Sequence, residues 1–151
     1  MKLFISSDHA GYQLKNKLVP FLMVEGYSVT DKGPYEYNPE DDYPDFISKT
    51  AEEVSKNPEA KGIVLGYSGE GEAMVANKFK GIRATAYYGN NTQILLLSRE
   101  HNDANILALG AHFLTEHDAK EAVLLWLHTD FSAAERHIRR VEKVKALEEK
   151  K

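Results

Sequence analysis

Cysteine is absent from the 151 residues, which excludes disulfides, thiolate metal sites and cysteine nucleophiles. No apolar run approaches the roughly 20 residues that a membrane helix requires. Met1 leads into a strand-like run with no secretory pattern, so a cytoplasmic chain without membrane contact is expected. Positive charge is also in short supply. Lys and Arg number 19 against 23 Asp and Glu, a formal net charge of −4, which argues against a body built to neutralise nucleic-acid phosphates. The 10 glycines form neither G-x-x-x-x-G-K-[ST] nor G-x-G-x-x-G, so neither nucleotide-binding fingerprint is present. No repeat, low-complexity tract or linker divides the chain, and residues 1–151 are expected to form one domain. At this length roughly 70% of the unfolded surface can leave water, enough for a core without staples.

Short β-rich runs alternate with longer helical patterns. Residues 3–7, 27–30, 62–66, 84–88 and 106–109 read as strands, several apolar on successive positions as strands buried on both faces are. Leu14, Leu18, Phe21 and Leu22 share a helical stripe, with Pro20 expected to kink that helix near 16–20. A second helix opens near Pro44, and 90–99 and 115–128 supply others. Such alternation predicts a three-layer α/β/α, Rossmann-like domain on a five-stranded parallel sheet. The acidic connection 33–43 is longer than a packed domain usually keeps without a use and is expected to border a site. Ser132 and Glu135 have capping-box spacing. The charged helix that follows has a thin apolar seam of Ile138, Val141, Val144 and Leu147, and is expected to pack on something beyond its own sheet.

Ligands of doubly wound sheets gather at the carboxyl ends of the strands. Asp8 and His9 follow the first strand, and Ser68, Gly69, Glu70, Gly71 and Glu72 the third. His101 and Asn102 come after the helix of the fourth, and these segments are expected to share one sheet edge. The glycine-rich turn admits an anionic oxygen to backbone amides, or serves turn geometry alone. Glu72 either complements a helix dipole or stands as a base beside that cradle. The alternative for Asp8 and His9 is a helix cap with a surface imidazole, and for His101 a cap or loop closure. Asp8, His9 and His101 as a metal set is disfavoured, since no His-x-x-x-His pair exists. Arg136 and Arg140, four apart, share a helix face that either clamps a dianion or meets solvent.

Taken together, S-S-D-H-A-G at 6–11, D-K-G at 31–33, D-Y-P at 42–44, G-Y-S-G-E-G-E at 66–72, A-N-K at 76–78, G-I-R-A at 81–84, S-R-E-H-N-D-A-N at 98–105 and R-H-x-x-R at 136–140 resemble the ribose-5-phosphate isomerase B family. That family also includes isomerases of allose and galactose 6-phosphates. The resemblance spans nearly the whole chain and implies a single sugar-phosphate isomerase domain. It would interconvert ribose 5-phosphate and ribulose 5-phosphate through a cis-enediolate, with no metal or organic cofactor. Six-carbon sugar phosphates, or a noncatalytic sugar-phosphate sensor, are the alternatives.

By the same resemblance Glu72 is the base. The family's other branch places a cysteine where this chain has Gly66. Ser68 relays protons, the amides of Gly69, Glu70 and Gly71 form the anion cradle, His101 opens the furanose ring and Asn102 holds substrate. Asp8 and His9 contact sugar hydroxyls and phosphate, Tyr43 walls the pocket, and Arg136 and Arg140 reach the phosphate of a partner subunit's site in a homodimer. His112 stands where an arginine is frequent and Tyr67 where a glycine is common, both beside the substrate.

Overall fold

The computed structural model describes residues 1–149. The chain runs β1 (Lys2–Ser7), α1 (Tyr12–Val24), β2 (Ser28–Asp31), α2 (Pro44–Lys56), β3 (Lys61–Gly66), α3 (Glu70–Ala76), β4 (Ala84–Tyr87), α4 (Gln93–Glu100), β5 (Ile106–Gly110), α5 (Glu116–His128) and α6 (Glu135–Glu148). Every strand pair is parallel and the order is β2-β1-β3-β5-β4, as the alternating pattern predicts. The central strands β1, β3 and β5 are buried on both faces. Leu3, Ile5, Ile63, Leu65, Leu107 and Leu109 face α1, α4 and α5. Phe4, Val64, Ile106 and Ala108 face α2 and α3. Trp126 of α5 is fully buried, its indole N–H donating to Ser98 Oγ at 3.2 Å.

Two sequence expectations are corrected. Helix α1 is one uninterrupted element through Pro20. A helix-interior proline costs about 3 kcal/mol, but Leu14, Leu18 and Leu22 are anchored on the sheet, each worth roughly 1.5–3 kcal/mol of burial. The capping box at 132–135 does not form. Ala134 precedes α6 without a side-chain cap, and Ser132 Oγ instead lies 2.7 Å from His137 Nδ1.

One buried charge ties α1 to β2. Lys15 is fully buried, with Nζ 2.5 Å from Asp31 Oδ2 and 3.1 Å from Asn16 Oδ1. Asp31 Oδ1 in turn accepts from the Gly33 amide at 2.8 Å, so the same carboxylate starts the 33–43 connection. Removing one partner strands the other charge. Asp31→Ala is expected to lose roughly 3 kcal/mol in urea denaturation, and adding Lys15→Met should recover most of it.

Candidate active site

From β1 the chain crosses to β2 on one side; from β2 onward it proceeds to β3 and the other side. The carboxyl ends of β1 and β3 therefore flank the point where the winding reverses, the crevice where ligands of open α/β sheets bind. Asp8 and His9 emerge from one lip, and the turn Tyr67–Gly71 with Glu72 from the other. Asp8 Oδ1 accepts from the amides of Ala10 and Gly11 at 2.9 and 3.1 Å and closes the turn ahead of α1; the N-cap of that helix is Gly11 with no side-chain cap, so the capping reading of Asp8 is corrected. Its Oδ2 makes no hydrogen bond among the described residues. Burial raises the Asp8 carboxyl above its ordinary range, against the pull of those amides and of His9.

Glu72 lies in the first turn of α3 and is only 4% exposed. A Cβ on Gly66 would coincide with its carboxyl carbon and oxygens, so the acid occupies the space that any side chain at 66 would fill. Gly66 and the buried Glu72 carboxyl are thus parts of one arrangement. Burial pushes the Glu72 carboxyl up, the charge of Asp8 adds to this, and the nearby amides of Glu72 and Gly69 oppose it. A carboxyl raised toward neutrality is a better proton acceptor than an ordinary one. Gly69, at φ +82°, turns the chain where a Cβ would press on the Ala108 carbonyl at 2.9 Å. Ser68 is half-buried and its Oγ accepts from the Glu70 amide at 3.3 Å. The Tyr43 ring, at the start of α2, lies over Gly71, 3.0 Å from where a Cβ would stand.

The two residues that depart from the family pattern are neighbours. Pairing at the end of β5 continues beyond the strand, with the His112 amide donating to the Tyr67 carbonyl at 3.2 Å. Their rings stack with centroids 4.1 Å apart and planes 13° from parallel. Together with His9, Ala10, Gln13 and Tyr37 they line an open cavity of about 410 Å³.

The expectation that His101 and Asn102 join this edge is overturned. Helix α4 runs antiparallel to the strands and returns the chain to their amino ends before β5 begins, where the Asn105 amide donates to the Arg83 carbonyl at 3.0 Å. His101 caps α4 there, its ring 4.2 Å from that of His137 on α6. Arg136 Nε donates to His137 Nε2 at 3.2 Å, which leaves Nδ1–H to face Ser132 Oγ. Burial and the charges of His101, Arg136 and Arg140 lower the His137 imidazole, consistent with that neutral tautomer. Asn102 and Arg140 line one cavity of about 340 Å³ with Arg83, Val141 and Val144. The Asn102 turn is braced by Arg83 and Arg99, both paired to Asp103. The candidate residues thus fall into two groups on opposite edges. Asp8, His9, Tyr43, Tyr67, Ser68, Gly69, Glu70, Gly71, Glu72 and His112 lie at the carboxyl edge, and His101, Asn102, Arg136 and Arg140 at the amino edge.

The metal set weighed from the sequence is divided in the same way, since His101 is remote from Asp8 and His9. Asp8, His9 and Asp41 do gather three donor atoms within 4.8 Å. Asp41 Oδ1 and His9 Nδ1 are already engaged with each other at 2.6 Å. Two further residues escaped the sequence reading: Asp41, although its loop was marked, and His137, enclosed between the motif arginines.

Two outcomes follow for Glu72. Its folded-state pKa lies above the unfolded value, so its contribution to stability is intact below about pH 4 and is lost as pH rises through the raised pKa. Glu72→Gln should therefore melt above the wild type at pH 7, with the gap closing at pH 4, as calorimetry can read. Gly66→Ala should evict the carboxylate and lower kcat by about 10² or more while the fold, followed by circular dichroism, is retained.

Residues 3–144 match the model of a family described as Ribose/Galactose Isomerase. Ribose-5-phosphate isomerase B of Mycobacterium tuberculosis is 37% identical over 142 residues, covering 94% of this chain and 86% of that protein. The Escherichia coli protein of the same name is 35% identical over 150 residues, covering 99% and 98%. The crystal structure of ribose-5-phosphate isomerase B from Mycoplasma genitalium with bound ribulose-5-phosphate superimposes with a TM-score of 0.94 at 34% identity, covering 99% and 97%. A Clostridium thermocellum ribose-5-phosphate isomerase B does so with a TM-score of 0.91 at 44% identity, covering 99% of each chain. With the winding reversal, the buried glutamate and the bare backbone beneath it all in place, the chain belongs to the ribose/galactose isomerase family.

Proposed function

We propose that this chain is an aldose-ketose isomerase acting on ribose 5-phosphate and ribulose 5-phosphate, and that its active site is completed by a second copy of itself. The observation that carries the reaction is the buried Glu72 carboxyl seated on Gly66, beside Ser68 and the glycine-rich turn. Glu72 takes the proton from C2 and returns it to C1. The enediolate oxygen is met by the amides of 69–71, and Ser68 relays hydroxyl protons. Nothing in this sequence of proton transfers requires more than a base, an acid and an anion cradle.

The separation of the two groups supports the homodimer. Strands of four to six residues, at about 3.3 Å per residue, keep the sheet edges well over 10 Å apart, too far for one chain's two groups to meet on one pentose phosphate. Helix α6 presents Ile138, Val144 and Leu147 to solvent, the apolar seam noted in the sequence. A two-fold contact through that helix would bring the partner subunit's His101, Asn102, Arg136 and Arg140 to the Glu72 edge. The imidazole would open the furanose ring and the guanidinium pair would hold the phosphate.

Subunit mixing tests this. Glu72→Gln and His101→Asn preparations are each expected to be inactive on ribose 5-phosphate. After exchange, a mixed dimer holds one site with both defects and one with neither, and roughly a quarter of wild-type activity should return. Continued inactivity after confirmed exchange would assign both residues to the same chain's site.

A further inference from the structure

The 33–43 connection carries a carboxylate with no part in the scheme above. Asp41 Oδ1 accepts twice from one residue, from the His9 amide at 3.0 Å and from His9 Nδ1 at 2.6 Å. The Asp41 side chain is only 6% exposed, and its Oδ2 is buried with no hydrogen-bond partner. An acid so withdrawn from water is costly unless a positive charge faces it. The groups around the imidazole leave little choice of what that charge is. Asp8 lies on the same turn, Asp41 and Glu40 come from the connection, and Tyr67 and His112 stand across the cavity from the ends of β3 and β5. No Lys or Arg bonds to Asp41 among the described residues.

We propose that Asp41 is a positioning residue that fixes His9 with Nδ1–H on the carboxylate, so that Nε2–H is presented as a cationic donor to the substrate phosphate in the cavity beside Tyr67 and His112. With Nδ1 committed, Nε2 is the one ring nitrogen left, and it makes no hydrogen bond among the described residues. The ring is about one-third exposed, and that exposure opens on the cavity. The Asp41 hydrogen bond, foremost, and the charges of Asp8, Asp41 and Glu40 raise the imidazole above its ordinary value, against desolvation. This reading rests on the isomerase proposal for the identity of the ligand, while the Asp41–His9 arrangement stands on geometry alone. It also accounts for the length of an acidic loop that must travel from β2 to α2 across the mouth of β1.

The test combines histidine NMR with steady-state kinetics on the full chain. The His9 Cε1–H resonance, assigned with a His9→Gln variant, should titrate above the ordinary histidine value in the wild type, and inorganic phosphate should raise that midpoint further. In Asp41→Asn the midpoint should fall, and KM for ribose 5-phosphate should rise about tenfold at pH 8 while approaching the wild-type value at pH 6. kcat should stay within about threefold, and Asp41→Glu should recover part of KM. A wild-type midpoint at or below the ordinary value, no response to phosphate, or a KM rise equal at both pH values would overturn the proposal. The wild-type titration decides even if the variant does not fold. A wild type that shows the raised, phosphate-sensitive His9 but no isomerisation would sink the isomerase reading and leave this one standing.

Discussion

A carboxylate packed directly onto bare backbone governs the carboxyl edge of this sheet. Glu72 has its place only because Gly66 presents no side chain, and Gly66 can end β3 only because its neighbours pair normally on both sides, with β1 and with β5. The turn that follows must then double back tightly enough to bring residue 72 over residue 66. Gly69 permits this with its left-handed backbone, against the carbonyl of Ala108. The burial that raises the acid's pKa also works against the fold, a common exchange of stability for reactivity. The surrounding core of fully buried Ile63, Leu65, Leu107 and Leu109 holds the geometry in spite of it.

The edges of the sheet differ in electrical character. Asp8, Glu40, Asp41, Asp42, Glu70 and Glu72 crowd the carboxyl ends of the strands, with the imidazoles of His9 and His112 set among them. The amino ends carry Arg83, Arg99, Arg136 and Arg140, and Asp103 pairs with the first two, one carboxylate offsetting half of their charge. A surface of each sign on one body favours association in which unlike edges meet, and disfavours like-edge encounters.

Much of this is legible in the sequence. The strand positions came through because β1, β3 and β5 are continuous apolar runs, and strand residues were displaced by one position at most, at Tyr27, Tyr88 and the ends of β1, β2, β3 and β5. Glu72, Ser68 and the turn were legible because residues that directly follow a strand stay at its carboxyl end. His101 and Asn102 were misplaced for a related reason. They follow a helix, and eight helical residues suffice to carry the chain back across the sheet. Asp41 stayed hidden because its role depends on a contact with His9 across 32 positions, which no local pattern encodes. Pro20 and Ser132 were read by local rules that tertiary anchoring overrode: three buried leucines in one case, a buried His137 in the other.

Helix α6 is held at both ends by its own chain. Near its start, His137 is buried between Ser132 and Arg136, and the preceding segment is tied to α4 through the Ser132 amide and the Glu100 carbonyl at 3.1 Å. At its far end both Glu148 carboxylate oxygens accept from the Gly81 amide at 3.0 Å. A segment free in solution would have to surrender its backbone and side-chain freedom at the moment it meets another surface, and affinity would fall accordingly. Here the entropy of ordering the helix is spent during folding, so an encounter begins with a rigid rod and loses mainly the tumbling freedom of two whole bodies.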